Sequence, residues 1–159
     1  MTEIQLKKFN MSDIKDDKVV VLIGKRDTGK SFLCKDILYQ HQNIPVGQVI
    51  SGTEGANQFY SKIVPKLFIH GEFDTSIVQN MIKRQKIMID KINAGDTSID
   101  PRSFLILDDC LYDNTWAKDK YMRSVFMNGR HFKMLFLLTM QYALGIPPNL
   151  RTNIDYVFI

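Results

Sequence analysis

Cysteine is scarce: the 159-residue chain has two, Cys34 and Cys110. They stand far apart in sequence, with no CxxC spacing and no His-rich partner. That argues against a disulfide scaffold or a zinc site and fits a reducing compartment. The three histidines, His41, His70 and His131, are isolated and show no metal spacing. Five prolines and nine glycines are too few for a fibrous or low-complexity chain, and no internal repeat is present. No apolar run approaches the roughly 20 residues of a membrane span. Residues Met1 to Phe9 carry Glu3, Lys7 and Lys8 and lack the apolar centre of a signal peptide. These absences lead to the expectation of a soluble protein, intracellular or enclosed in a particle. Neither sign of charge dominates. Lys and Arg number 21 against 17 Asp and Glu, giving +4 and a pI near 9.0. Such a balance permits nucleic acid as a partner without requiring it.

What is present is apolar substance. Hydrophobic residues make up 45% of the chain, which excludes intrinsic disorder. The length suits one domain on the usual prior of about 100–200 residues. A chain of this size buries roughly 68–70% of its unfolded surface, so it folds without metal or disulfide. Cys34, Cys110 and the eight methionines read as core filler.

Short apolar runs alternate with longer amphipathic ones. Strands are expected at Val19 to Ile23, Gln48 to Ser51, Leu67 to His70, Phe104 to Leu107, Met134 to Leu138 and Tyr156 to Ile159. Helical spacing marks Lys30 to Gln40, Asp74 to Asn93 and Trp116 to Met127. Asp74 is placed to cap the second of these, and Ala94-Gly95 to end it. Strands apolar at every position are buried on both faces, which implies a parallel sheet covered by helices. The expected fold is therefore an α/β three-layer sandwich in one domain, residues 1–159. The last apolar run has no covering element after it, so the domain is expected to lack its C-terminal end.

Gly24-Lys25-Arg26-Asp27-Thr28-Gly29-Lys30-Ser31 matches G-x-x-x-x-G-K-[ST] at every fixed position, between an expected strand and an expected helix. Glycines let backbone N–H groups turn inward around a phosphate, and the helix N-terminus adds partial positive charge. In this reading residues 24–32, including Phe32 after the motif, contact a nucleotide. Lys30 reaches the β- and γ-phosphates, and the Ser31 hydroxyl is a ligand for Mg²⁺. ATP and Mg²⁺ are the expected cofactors.

Two acids follow four apolar residues in Phe104-Leu105-Ile106-Leu107-Asp108-Asp109. A carboxylate at a strand end beside the phosphate site supplies the second half of a P-loop centre. Asp108 is the candidate on the metal side, acting through water, and Asp109 the candidate to orient or deprotonate an attacking water. The plainer alternative is a pair of turn-capping acids. The next apolar run ends at Thr139-Met140-Gln141, and Gln141 would face the γ-phosphate if this strand neighbours the acidic one. The Leu67–His70 segment intervenes in sequence between the loop strand and the acidic strand. That suits P-loop ATPases with an extra strand between the Walker A and Walker B strands.

Arg130, in the turn Asn128-Gly129-Arg130-His131, and Arg151, after Pro147-Pro148-Asn149-Leu150, are candidates to enter a neighbour's site and stabilise phosphoryl transfer. Either is otherwise ordinary surface. Lys83, Arg84, Lys86, Lys91, Lys118, Lys120 and Arg123 offer charge for a phosphate backbone, or a solvated helix face.

Taken in order, Val21 to Cys34, Leu105 to Cys110, Asn128 to His131, and Gln141-Tyr142 with Pro147 to Arg151 resemble the genome-packaging ATPases of poxvirus-like large DNA viruses, within the FtsK–HerA superfamily. The resemblance implies a ring, a hexamer, that drives double-stranded DNA into a capsid by hydrolysing ATP. It implies phosphate and Mg²⁺ binding by Lys30 and Ser31, metal and catalytic acids at Asp108 and Asp109, a sensor at Gln141 and a trans-acting arginine at Arg130. Capsid or membrane-associated virion proteins become partners, and the virion or the host-cell cytoplasm the setting. One departure is Asp109, where the superfamily more often has Glu. Two other readings remain open. One is a small-molecule or nucleotide kinase, for which no arginine-bearing lid is visible. The other is a non-catalytic nucleotide-binding assembly module.

Overall fold

The computed structural model describes residues 4–159; Met1, Thr2 and Glu3 of the leader reading lie outside the described residues. Six strands form one sheet: β1 (Val19–Ile23), β2 (Gly47–Ser51), β3 (Ile69–His70), β4 (Ser103–Asp108), β5 (Met134–Met140) and β6 (Tyr156–Phe158). Their order is β3-β2-β4-β5-β1-β6, and every pairing is parallel.

Fully apolar strands need cover on both faces, and the period of two divides their side chains between two cores. Val19, Val21, Leu105, Leu107, Phe136 and Leu138 pack with α3 (Thr75–Asn93) and α4 (Lys120–Asn128) on one face. Val20, Leu22, Ile106, Leu135 and Leu137 pack with α1 (Lys30–Gln40) and the segment around Tyr60 on the other. Two single-turn helices complete the chain, α2 (Glu54–Asn57) and α5 (Pro148–Arg151). The three-layer α/β sandwich expected from sequence is the fold observed.

Helix ends follow local chemistry. The Asp74 carboxylate accepts the Ser76 amide at 2.7 Å and starts α3. Gly95, at φ +97°, takes the left-handed turn that ends it and donates its N–H to Ile92 O at 2.9 Å.

Two expectations need correction, and a third is met by a different strand. The helix expected over residues 116–127 is a 3₁₀ turn, Thr115–Lys118, followed by α4. Asp119 separates them because its carboxylate accepts the amides of Tyr121 at 2.8 Å and Met122 at 2.9 Å, which makes it an N-cap. The strand expected at 67–70 pairs only through Ile69 and His70, since Lys66–Phe68 is a 3₁₀ turn after Pro65. It is also an edge strand, beyond β2. The strand that separates β1 from β4 is β5, which comes later in the sequence. The extra strand between the loop strand and the acidic strand therefore exists, supplied by the run that ends in Gln141.

Candidate nucleotide site

Because all six strands run the same way, everything that follows a strand gathers at one edge of the sheet. The 24–31 loop leaves β1, Asp109 leaves β4 and Gln141 leaves β5, so three distant segments meet there. This is the crevice where open α/β sheets bind ligands.

The loop keeps its shape by contacts within itself. Thr28 Oγ1 donates to Lys25 O at 2.8 Å, and Lys30 Nζ donates to Gly24 O at 2.8 Å and Lys25 O at 2.7 Å. A Cβ on Gly24 would stand 2.7 Å from Thr28 Oγ1, so a side chain there would push the loop apart. Gly29, at φ +89°, adopts a left-handed conformation and hands the chain into α1. Among the described residues no acceptor takes the backbone amides of 25–32; the next amide, Leu33, donates to Gly29 O at 3.0 Å. A run of unused N–H groups at the start of an eleven-residue helix is a cradle for an anion.

Asp108 ends β4 with only 2% exposure, and three hydroxyls satisfy it. Ser31 Oγ and Tyr60 OH each donate to Oδ2 at 2.7 Å, and Thr139 Oγ1 donates to Oδ1 at 2.7 Å. Thr139 also accepts the amide of Asp109 at 3.0 Å. Asp109 takes a left-handed backbone, φ +49°, which breaks the strand direction after Asp108. Its Oδ1 accepts from Gln141 Nε2 at 3.3 Å. A cavity of 270 Å³ opens beside this pair, lined by Asp109, Tyr112, Asn114, Thr139, Gln141 and Tyr142. A larger cavity, 380 Å³, touches Lys35, His41, Gly47 and Phe104 near the opposite edge, away from the loop.

Burial, with Cys34 and then Asp108 beside it, drives the Tyr60 phenol far above its ordinary range, so it remains a protonated donor. Burial also raises the two thiols, Cys110 to about 12 with Asp108 and Asp109 adding to the effect. Both thiols are buried, 0% and 3% exposed, in keeping with the reading of both as small core residues.

Among the described residues no three His, Cys, Asp or Glu side chains converge to hold a metal by themselves. Mg²⁺ takes one or two protein oxygens and completes its shell with phosphate oxygens and water. Ser31 Oγ and the Asp108 carboxylate, 2.7 Å apart, are the oxygens here that could hold such a cation.

Phe32 is 65% exposed at the mouth of the loop, with its ring edge-on to Phe59 at 5.2 Å. The two arginines fall elsewhere. Arg130 is 62% exposed, and its guanidinium meets Asp155 Oδ1 at 3.3 Å; Asp155 Oδ2 in turn accepts the Val19 amide at 2.9 Å. Arg130 thus lies where β1 begins, whereas the loop lies where β1 ends, five residues or about 16 Å further on. It does not converge with its own chain's loop. Arg151 is exposed, and its Nε donates to Ile146 O at 2.7 Å. Lys83, Lys86 and Lys91 are exposed on α3, opposite Val78, Met81, Ile82 and Gln85, which face the core.

Sequence reasoning did not single out Tyr60, Thr139 or Glu54. Thr139 left a signal, as a hydroxyl at the end of an otherwise apolar strand. Tyr60 left none, because it lies in an irregular stretch without periodicity.

No family model matches the chain. Relatives by sequence come from large DNA viruses. An uncharacterized protein of Invertebrate iridescent virus 6 is 46% identical over 151 residues, 94% of this chain and 56% of the relative. One of Acanthamoeba polyphaga mimivirus is 38% identical over 161 residues, 99% of this chain and 57% of the relative. One of Frog virus 3 is 34% identical over 170 residues, 100% of this chain and 52% of the relative. The chain spans about half the length of the curated relatives it matches. Among solved structures, the genome packaging NTPase B204 of Sulfolobus turreted icosahedral virus 2, in complex with AMPPCP, superimposes with a TM-score of 0.60. It is 18% identical, over 90% of this chain and 74% of that one. EssC (ATPases 2 and 3) of Geobacillus thermodenitrificans gives 0.63 at 15% identity, over 90% of this chain and 33% of that one. At such identities the likeness is one of fold. The relatives agree with the resemblance in their viral source, and the solved structures agree with it in fold.

Proposed function

From a P-loop NTPase fold shared with a viral packaging NTPase, and from relatives in large DNA viruses, we propose that this chain is the motor domain of a genome-packaging ATPase. It hydrolyses ATP with Mg²⁺ and, as a ring oligomer, a hexamer, moves double-stranded DNA into the virion. The observation that carries this reading is the Ser31–Asp108 hydrogen bond of 2.7 Å, which joins the phosphate-type loop to the acidic strand end across β5.

In this reading the free amides of 25–32 cradle the phosphates, and Lys30 leaves the carbonyls of Gly24 and Lys25 to reach the β- and γ-phosphates. Phe32 flanks the nucleotide. Ser31 gives its proton to Asp108 and so keeps oxygen lone pairs free for a cation. A bound Mg²⁺ would neutralise charge on the phosphate oxygens. Asp109, backed by Gln141, takes a proton from, or orients, the attacking water in the adjoining cavity. This Asp109–Gln141 pair favours a hydrolase over the kinase alternative, which has no use for it. Arg130 acts from one protomer on the phosphates of the next, the only way its position at the far edge allows, and Arg151 is the second candidate for that part. Exposed lysines on α3 contribute to DNA contact. Capsid or membrane-associated virion proteins are the proposed docking partners, and the virion or the cytoplasmic assembly site the setting. Among the described residues no helix is long and apolar enough to cross a membrane.

The decisive experiment measures ATP hydrolysis and solution mass together, over a range of protein concentration, with and without double-stranded DNA. Activity that rises with both assembly and DNA is expected. Hydrolysis by a full-length monomer, indifferent to DNA, overturns the motor reading.

A further inference from the structure

Tyr60 is a buried phenol, 1% exposed, aimed at a carboxylate that the nucleotide reading assigns to the metal side. An ionised carboxylate offers about four lone-pair positions. At Asp108, Ser31 and Tyr60 take both positions on Oδ2, and Thr139 takes one on Oδ1. One position remains. Without Tyr60, the carboxylate would have a second unsatisfied position and freedom to turn about its own axis.

Tyr60 is itself held. The Glu54 carboxylate, buried to 9% exposure, accepts the amides of Tyr60 and Ser61, each at 2.9 Å. The Tyr60 ring meets Phe59 edge-on at 5.0 Å, and Phe59 meets Phe32 of the first turn of α1. A chain of contacts thus runs from the segment after β2 to the acid that ends β4.

Resting on the nucleotide-site reading, we propose that Tyr60, clamped by Glu54, is a positioning residue that fixes the orientation of the Asp108 carboxylate, the acid which that reading assigns to the metal side. It touches neither nucleotide nor reacting water. Groups that orient metal-side ligands in this way typically change metal affinity by about 10–100-fold when removed.

The test compares the full chain with Tyr60→Phe, which keeps the ring and removes only the hydroxyl. Affinity for a non-hydrolysable ATP analogue is measured by calorimetry in EDTA and across a Mg²⁺ titration. Tyr60→Phe is expected to need about tenfold more Mg²⁺, with the affinity in EDTA unchanged within about twofold. In protein labelled with 3-fluorotyrosine, the ¹⁹F resonance missing from Tyr60→Phe should move when Mg²⁺ joins the bound analogue and stay put when the analogue binds alone. An unchanged Mg²⁺ requirement overturns the inference. So does an equal loss with and without Mg²⁺, which would mark a purely structural role. If Tyr60→Phe does not fold, as read by thermal melting, Glu54→Gln decides by the same Mg²⁺ criterion. A parent chain that binds no nucleotide overturns the nucleotide reading itself, and this inference falls with it.

Discussion

At the scale of single residues, the proposed function divides the site into groups assigned to phosphate and groups assigned to water. Lys30→Ala removes the cation of the cradle and should abolish both nucleotide binding and turnover. Asp109→Asn keeps size and shape but not basicity. It should bind an ATP analogue like the parent and lose at least about 100-fold in turnover, the usual worth of a positioned base. Equal loss of binding in both variants would show that Asp109 does not play this part. Thr139 serves two neighbours at once, donating to Asp108 and accepting the Asp109 amide. Thr139→Val leaves both without that partner in a site of 3% exposure. The expected loss is about 1–3 kcal/mol, seen as a fall in Tm of about 2–4 °C per kcal/mol, with weaker hydrolysis as a second effect. The 24–31 loop was legible in sequence because phosphate-type loops need fixed residue types at fixed spacing. Tyr60 was not, because a single phenol 48 positions from its partner carries no local signal.

At the scale of elements, the helices and strands follow the apolar pattern, but a polar side chain can break an element that the pattern continues. Asp119 is the clearest case. The apolar spacing through Trp116 to Met127 continues past it, yet its carboxylate takes two helix amides and starts α4 there. Asp119→Ala should cost about 1 kcal/mol, or roughly 2–4 °C in Tm, with nucleotide affinity unchanged. A parent-like melting curve would count against the cap. Gly47 tests the other kind of constraint. A Cβ there would meet the Phe104 ring at 2.3 Å, where β2 enters the sheet beside β4. Gly47→Ala should lower stability by about 1–3 kcal/mol, as overpacking does, and denaturant unfolding would show it.

At the scale of the molecule, Arg102 ties segments that the sheet leaves apart. Its guanidinium donates to Asp16 at 2.8 Å, to Asp100 at 2.7 Å and to Asn43 O at 3.3 Å. Burial alone would raise the Asp16 carboxyl, but hydrogen bonds from Arg102 and His41 outweigh it and hold the group below its ordinary value. Asp100 is lowered chiefly by its hydrogen bond from Arg102. A carboxylate whose pKa is depressed by folding stabilises the fold above its unfolded pKa, near 3.8, and loses that contribution as pH falls through the folded value. Arg102→Ala should therefore melt earlier than the parent at pH 7, and the gap should narrow below about pH 4. Partial exposure limits the effect to roughly 1 kcal/mol or less. A gap that stays constant down to pH 2 would assign the effect to packing. Assembly gives the second test at this scale. Arg130 lies at the opposite edge of the sheet from its own loop, so mixing Arg130→Ala with Lys30→Ala protein should partly restore hydrolysis. Restoration requires interfaces that pair an intact arginine with an intact loop. No recovery at any mixing ratio would remove Arg130 from the mechanism.

The sequence by itself determined the α/β class and the place of the 24–31 loop between a strand and a helix. It also marked the acid pair at a strand end. Each of these rests on local patterns, apolar periodicity or fixed spacing, that folding preserves. It could not determine which strand fills the gap between β1 and β4, nor that Ile69–His70 lies at the sheet edge. Parallel strands can be ordered in many ways without changing their local pattern, and only packing selects one. Tertiary structure alone decided that Tyr60, Thr139 and Ser31 share one carboxylate, and that Arg130 stands apart from the loop. Those relations are distances between segments far apart in the chain, set by the sheet order and the two cores that enclose it.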